Sequence, residues 1–121
     1  VVNPMIVEGQ VHGGLAQGIA QAMWEGVEFD DAGNLLTGTF IDYTMPSAAD
    51  MPSFVTDRTT TPATSNDLGV KGVGEAGTIA STPAIVNGAI DAVRHLGVNE
   101  LRMPLVPRTV WNALQAAKGA G

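Results

Sequence analysis

A glycine-rich loop that leads into an apolar helical segment constrains this chain more than any other part of its sequence. The loop, Lys71-Gly72-Val73-Gly74-Glu75-Ala76-Gly77, places one carboxylate among three glycines. Glycine adopts backbone angles closed to other residues and lets a ligand approach the main chain, so we expect exposed N–H groups beside a positioned acid. On these residues, Glu75 is either a general base or a glutamate favoured by the positive end of the following helix.

The same loop matches the Gly-x-Gly-x-x-Gly pattern of a dinucleotide-binding turn. Such a turn follows a buried strand directly. The preceding residues 61–69 are polar and include Pro62, which does not suit the first strand of a parallel sheet. The sequence therefore disfavours a dinucleotide-binding module.

Composition narrows the classes of function. Twelve acidic and six basic residues give a formal charge of −6 without a Lys/Arg cluster, so the chain would repel a nucleic acid backbone. No apolar run is long enough to span a membrane. The absence of cysteine removes iron–sulfur ligation and thiol nucleophiles. We expect a single domain over residues 1–121, with no nucleic acid partner and no membrane span.

The beginning of the chain gives a further expectation. It starts Val1-Val2-Asn3-Pro4, with no initiator methionine and no basic segment followed by an apolar one. The start therefore looks like a cut, and any signal peptide is absent or already removed. We expect a cytoplasmic protein.

The first helix is predicted near the start of the chain. Apolar residues recur at helical spacing up to Glu25, and Gly26 suits a C-terminal cap. Gly13, Gly14 and Gly18 lie inside this helix, each at a cost of about 1 kcal/mol relative to alanine. We therefore expect backbone or ligand to approach that face of the helix closely.

Two more helices are predicted in the second half. Thr82 is suited to the N-cap of one, with Pro83 at its first position and an apolar stripe that ends at Gly97. The last helix follows Pro107. Between the first two helices, residues 27–43 are predicted to form a hairpin and residues 54–60 a further strand. The predicted fold is α+β, with helices packed on a small mixed or antiparallel sheet.

Other polar residues of the first helix are candidates for ligand contacts. A glutamine offers both a donor and an acceptor to a heterocyclic ligand, but near a helix start it is ordinarily solvated. This applies to Gln10, Gln17 and Gln21. His12 has no histidine nearby in the sequence, so no residue is predicted to ligate a metal.

Three ordered blocks resemble a known family. They are Glu8-Gly9-Gln10-Val11-His12-Gly13-Gly14, Asp42-Tyr43-Thr44-Met45-Pro46 and Gly69-Val70-Lys71-Gly72-Val73-Gly74-Glu75-Ala76-Gly77. Together they resemble the C-terminal part of the molybdopterin-binding large subunit of the molybdenum hydroxylases, the xanthine oxidase family. Within it, the chain is most similar to aerobic carbon monoxide dehydrogenase-like and aldehyde dehydrogenase-like large subunits. The resemblance covers essentially the whole chain.

The resemblance implies roles for particular residues. Glu75 corresponds to the active-site glutamate, a base that accepts a proton in a water-poor pocket while an aldehyde, a heterocycle or carbon monoxide is oxidised. Gln10 would hydrogen-bond the pterin. The cofactor cavity would be lined by the backbone of Lys71, Gly72, Val73 and Gly74.

The resemblance also implies cofactors and partners. The cofactor would be molybdenum–molybdopterin in its cytosine dinucleotide form, shared with upstream segments that this chain does not contain. The expected partners are the remainder of the large subunit, iron–sulfur and flavin subunits, and a small-molecule substrate. The chain itself would carry neither an iron–sulfur cluster nor a flavin, and would be inactive in isolation. The alternative is a binding or assembly domain that keeps the fold and has lost catalysis.

Overall fold

The structure, a computed structural model, describes residues 1–119. Its regular elements are helices. They are α1 (Pro4–Met23), a short 3-10 helix (Ala48–Asp50), α2 (Thr78–Arg94) and α3 (Pro107–Gly119). No helix among residues 1–119 is both long and apolar enough to cross a membrane.

At each end of helix α1, a backbone N–H group has a local hydrogen-bond partner. The Asn3 side chain accepts the Ile6 N–H at 3.2 Å and so caps the start. At the other end, Trp24 leaves the helical angles and its N–H still bonds the Ala20 carbonyl at 2.9 Å. The predicted cap at Gly26 is wrong, because Trp24 already closes the last turn and no left-handed glycine is needed.

Helix α2 begins five residues earlier than predicted. It starts at Thr78, so Thr82 and Pro83 lie inside it rather than at its N-terminus. The Thr82 hydroxyl does not cap the helix. It lies 3.1 Å from both the Gly18 carbonyl and the Gln21 Oε1 atom of α1. Thr82, the expected capping residue, therefore bonds α2 to α1 instead.

Helix α1 packs closely against α2, and two glycines of α1 permit this approach. A Cβ atom at Gly14 would lie 2.9 Å from the Thr78 nitrogen. A Cβ atom at Gly18 would overlap the Ser81 hydroxyl. The predicted close approach is confirmed at these two positions. At Gly13, a Cβ atom would have no neighbour within 4 Å, so no backbone approaches there and the approach of a ligand stays a prediction.

The small apolar core lies between α2, α3 and the segment that joins them. Val98, Leu101 and Leu105 of that segment are buried. The Leu105 N–H donates to the Ala22 carbonyl at 2.8 Å, which ties the segment to α1. Helix side chains that pack on this cluster are Ile85, Val86, Ala89, Ile90, Val93, Ala113, Leu114 and Ala117. The apolar stripe of α2 is therefore part of the core, as predicted.

The predicted sheet is not found among residues 1–119. The region has one isolated antiparallel bridge, between Phe29 and Leu35, instead of a hairpin ladder. Next to this bridge, the Glu28 N–H donates to the Thr37 hydroxyl rather than to a strand carbonyl. Residues 54–60 are irregular and pair with no strand. The α+β prediction is therefore corrected to a mostly helical fold.

Candidate functional site

A cleft lies between α1 and the glycine loop that precedes α2. Its volume is about 380 Å³, and its lining residues are Gly9, Gln10, Gly13, Gly14, Gln17 and Gly74. Two of the predicted cofactor-binding residues, Gln10 and Gly74, meet here although they are far apart in the sequence. The wall consists of four glycines and two glutamines, so it exposes backbone and carboxamide groups rather than apolar side chains.

The glycine loop is held in place by backbone contacts. The Ala76 N–H donates to the Val73 carbonyl at 3.1 Å, and the Glu75 carbonyl accepts the first two N–H groups of α2 at 3.2 and 3.3 Å. Gly77 is buried against α1, where a Cβ atom would lie only 2.5 Å from the Val11 carbonyl oxygen. The loop therefore has a fixed position relative to α1. Glu75 directly follows Gly74, which lines the cleft.

The Glu75 side chain is exposed. The water-poor pocket that was expected around it is not formed by residues 1–119. Its position immediately before α2 also suits a negative charge, since the N-terminus of a helix carries partial positive charge. This placement is compatible with Glu75 as a general base and with Glu75 as a carboxylate favoured by the positive end of α2.

The rest of the predicted cofactor-binding set faces a different groove. Lys71, Gly72 and Val73 line a groove of about 220 Å³ on the side of residues 58–62. The Lys71 amine donates to the Thr61 hydroxyl at 2.9 Å. The structure therefore divides the predicted set, with Gln10 and Gly74 in one cleft and the other three residues in another.

A second polar cleft of about 460 Å³ adjoins the first along α1. It is lined by Gln17, Gln21, Glu25, Gly26, Val27, Tyr43 and Thr78. The Tyr43 hydroxyl donates to the Glu25 carboxylate at 2.9 Å, and this bond raises the pKa of Tyr43 above its ordinary value of 10.0. Gln17 lines both clefts, yet it is not in the predicted set. Its spacing of seven residues from Gln10 places both on one helix face, which is the sequence signal for it.

His12 packs against the loop that follows α1. Its ring lies 5.6 Å from the Phe54 ring, tilted by 50°, and its Nε2 atom is shielded from solvent without a hydrogen-bond partner. The same nitrogen is 3.9 Å from the Glu8 carboxylate. Among residues 1–119, no group of three or more His, Cys, Asp or Glu side chains could hold a metal ion.

Comparison with known proteins gives consistent matches. A family model described as a molybdopterin cofactor-binding domain matches residues 1–52. The carbon monoxide dehydrogenase large chain of Hydrogenophaga pseudoflava is 44% identical over 94% of this chain and 14% of its own length. The chain belongs to the molybdenum hydroxylase family. It corresponds to a segment in the C-terminal part of the large subunits of that family.

Solved structures of molybdenum hydroxylases match the fold closely. Quinoline 2-oxidoreductase from Pseudomonas putida 86 has a TM-score of 0.91 and 39% identity over 95% of this chain and 15% of that one. Carbon monoxide dehydrogenase from Oligotropha carboxidovorans has a TM-score of 0.90 and 36% identity over 98% of this chain and 15% of that one. The chain spans about one seventh of the length of these molybdenum hydroxylase chains.

Proposed function

We propose that this segment forms one wall of a molybdenum–molybdopterin site in a molybdenum hydroxylase large subunit and supplies its catalytic base, Glu75. The cleft that joins Gln10 of α1 to Gly74 of the glycine loop is the observation that carries the proposal. It brings residues from two sequence blocks of the family to one surface, beside the one acid of the loop.

The cleft wall fits a flat, polar, heterocyclic ligand such as a pterin. Cβ atoms at Gly9, Gly13 and Gly74 would each have open space within 4 Å, so the ligand can lie directly against the backbone. The exposed carboxamide of Gln10 offers a donor and an acceptor, the combination that the edge of a pterin requires. Gln17 offers the same groups about two turns further along the same face of α1. The backbone of Lys71, Gly72 and Val73 would line a further part of the cofactor cavity, through the groove on the side of residues 58–62.

Glu75 would act as the proton acceptor. The bound cofactor supplies the oxidation–reduction chemistry of molybdenum. A catalytic base must lie within about 2.6–3.2 Å of the proton donor, directly or through one water. The two hydrogen bonds to the Glu75 carbonyl fix the backbone that carries this carboxylate. Polypeptide beyond this chain would exclude water from its side chain, which strengthens its interaction with the reacting group.

The finer features of the proposal follow from the family. The cofactor would be the cytosine dinucleotide form, and the substrate an aldehyde, a heterocycle or carbon monoxide. Relatives named for carbon monoxide and for quinoline support a choice that differs between members. The remainder of the large subunit would complete the site. This segment has no cysteine to ligate an iron–sulfur cluster. As the family resemblance implies, separate iron–sulfur and flavin subunits would carry the electrons, in the cytoplasm.

One observation favours a second candidate, a binding or assembly domain that keeps the fold without catalysis. Glu75 is exposed at a helix N-terminus, where a carboxylate is favourable even without a catalytic role. This candidate predicts that the native protein contains no molybdenum.

Metal and pterin analysis of the native protein tests the two candidates. The protein that carries this chain is purified from its own host, and its molybdenum, its pterin and any copurifying polypeptides are quantified. We expect molybdenum and pterin in equal amounts with the chain. A protein free of both would contradict the proposal and favour the non-catalytic domain.

A matched pair of leucine variants tests the cleft itself. Gly13→Leu would fill the cleft, whereas Gly88→Leu adds the same side chain at an exposed α2 position with equally open space. We expect the first variant to lose most of its molybdenum and pterin and the second to keep them. Equal cofactor content in the two variants would show that the cofactor does not occupy this cleft.

A further inference from the structure

A short turn after α1 presents two large apolar side chains to solvent. In this turn, Thr39–Tyr43, Phe40 is 84% exposed and Ile41 is 95% exposed. The two residues are adjacent, and neither is covered by any part of residues 1–119. A pair of this size at the tip of a turn is a feature of interaction sites rather than of free surface.

The turn is braced from within, so its tip has a defined shape. The Thr39 carbonyl accepts the Tyr43 and Asp42 N–H groups at 2.8 and 3.1 Å. The Thr39 hydroxyl donates to the Asp42 carboxylate at 2.7 Å, and the Ile41 N–H donates to that hydroxyl oxygen at 3.2 Å. A turn fixed in this way loses little conformational entropy when it binds a partner.

The turn is also anchored to α1. The Tyr43 hydroxyl bonds the Glu25 carboxylate just beyond the end of that helix. Tyr43 lines the second polar cleft together with Gln17, and Gln17 also lines the cleft proposed for the cofactor. The Tyr43 end of the turn therefore lies at the second polar cleft, which shares Gln17 with the cleft proposed for the cofactor.

Further apolar side chains surround the turn in the sequence. Those that are at least half exposed between residues 27 and 55 are Val27, Phe29, Leu35, Leu36, Met45 and Val55. The matched family members keep this fold with TM-scores of 0.90 and 0.91 inside chains about seven times as long. The polypeptide available to cover this surface is thus the large remainder of the same subunit.

We propose that Phe40 and Ile41 form a preorganised apolar knob that inserts into an apolar pocket of the remaining large-subunit polypeptide and seats it over the cofactor cleft. The proposal rests on the proposed function, because it takes the cleft between α1 and the glycine loop as the cofactor site. It assigns the knob to the large subunit itself rather than to an iron–sulfur or flavin subunit.

Site-specific photo-cross-linking in the intact native complex tests the knob. Benzoylphenylalanine replaces Ile41 in one protein and Asp31 in a control, since Asp31 is exposed in a neighbouring turn and is polar. After irradiation, cross-linked peptides are identified by mass spectrometry. We expect cross-links from position 41 to large-subunit residues outside this 121-residue segment, in several-fold higher yield than from position 31. Cross-links to another subunit, or a yield equal to the control, would overturn the proposal.

Footprinting of the wild-type complex covers the case in which the position 41 variant does not assemble. Hydroxyl radicals oxidise an accessible phenylalanine rapidly. We expect Phe40 to be strongly protected in the native complex, and oxidation at the rate of an unfolded peptide would overturn the proposal. Molybdenum is measured on the same sample. A cross-linked or protected knob without molybdenum would defeat the proposed function alone, and molybdenum with an unprotected knob would defeat this inference alone.

Discussion

Two regions of the molecule differ in what holds them in place. The contact between α1 and α2 is built from glycines that let two backbones touch, and the glycine loop with Glu75 is pinned in this contact. Residues 27–60 instead form turns and irregular backbone, with most of their large apolar side chains in solvent. The first region is ordered by contacts inside the chain. The second has a shape that polypeptide outside the chain would complete.

The first region positions the residues of the candidate site, whereas the second offers a surface for assembly with the rest of the protein. Gln10, Gly74 and Glu75 depend only on α1, α2 and the glycine loop that precedes α2, so their relative positions are set within this segment. The apolar turn around Phe40 depends on local hydrogen bonds and offers a surface to another part of the protein. Variants in the first region should change cofactor content or turnover, and variants in the second should change assembly.

Replacement of the proposed base gives the largest expected effect. Glu75→Gln keeps the size of the side chain and removes its ability to accept a proton, so turnover should fall by about 10²–10⁴-fold. Molybdenum content should be unchanged. Steady-state oxidation of the native substrate with an artificial electron acceptor gives the measurement, and Glu100→Gln is the control at an exposed carboxylate of the α2–α3 connection. Wild-type turnover in Glu75→Gln would show that Glu75 is not the catalytic base.

A second variant tests the glycine contact. Gly14→Ala would place a Cβ atom 2.9 Å from the Thr78 nitrogen and 3.0 Å from the Gly77 Cα atom, and backbone atoms cannot move aside cheaply. We expect a loss of about 1–3 kcal/mol in the local opening free energy of α1 and α2, read from amide hydrogen exchange in the intact protein. Gly88→Ala is the control. It has open space and should stabilise α2 by up to about 1 kcal/mol. Unchanged exchange in Gly14→Ala would mean that the contact is loose.

The sequence predicts the first region better than the second for a physical reason. Helical periodicity, glycines on one face of α1 and the end of α2 before Gly97, where φ is +90°, are all local signals that the structure confirms. The start of α2 is missed because Thr82 bonds α1 instead of capping its own helix. The predicted hairpin is reduced to one bridge between Phe29 and Leu35, and residues 54–60 pair with no strand among residues 1–119. That residues 1–121 form a single domain stays a prediction.

The candidate site was predicted in part for similar reasons. The loop around Glu75 is visible in the sequence because its glycines and its acid are contiguous. That Gln10 and Gly74 share a cleft, while Lys71 faces another groove, depends on how the loop crosses α1 and has no local signal. Gln17 could have been found from its helical spacing to Gln10.

A smaller effect is expected at the cofactor contact. Gln10→Ala removes a donor and an acceptor from the cleft wall, which should weaken cofactor retention by about 1 kcal/mol, or about five-fold. Pterin release during dialysis measures this retention. Gln115→Ala, at an exposed position of α3, is the control and should release pterin at the wild-type rate. Equal release from both variants would remove Gln10 from the site.

The smallest effect is a pH dependence in the second region. The hydrogen bond to Glu25, burial and the charge of Glu25 raise the pKa of Tyr43, so the neutral phenol is favoured in the folded state. Its contribution to stability is fully present below the ordinary value of 10.0 and is lost as pH rises through the raised pKa. In thermal unfolding, the Tm values of wild type and Tyr43→Phe should differ slightly at neutral pH and become equal in strong alkali. A difference in Tm that stays constant from neutral pH to strong alkali would rule out the Tyr43–Glu25 hydrogen bond as its cause.

An experimental structure of the intact native protein tests the central claim most directly. The account predicts the pterin in the cleft between Gln10 and Gly74, with the Glu75 carboxylate about 3 Å from a ligand of molybdenum or from the substrate. A pterin bound elsewhere, with Glu75 turned to solvent beside an empty cleft, would contradict it.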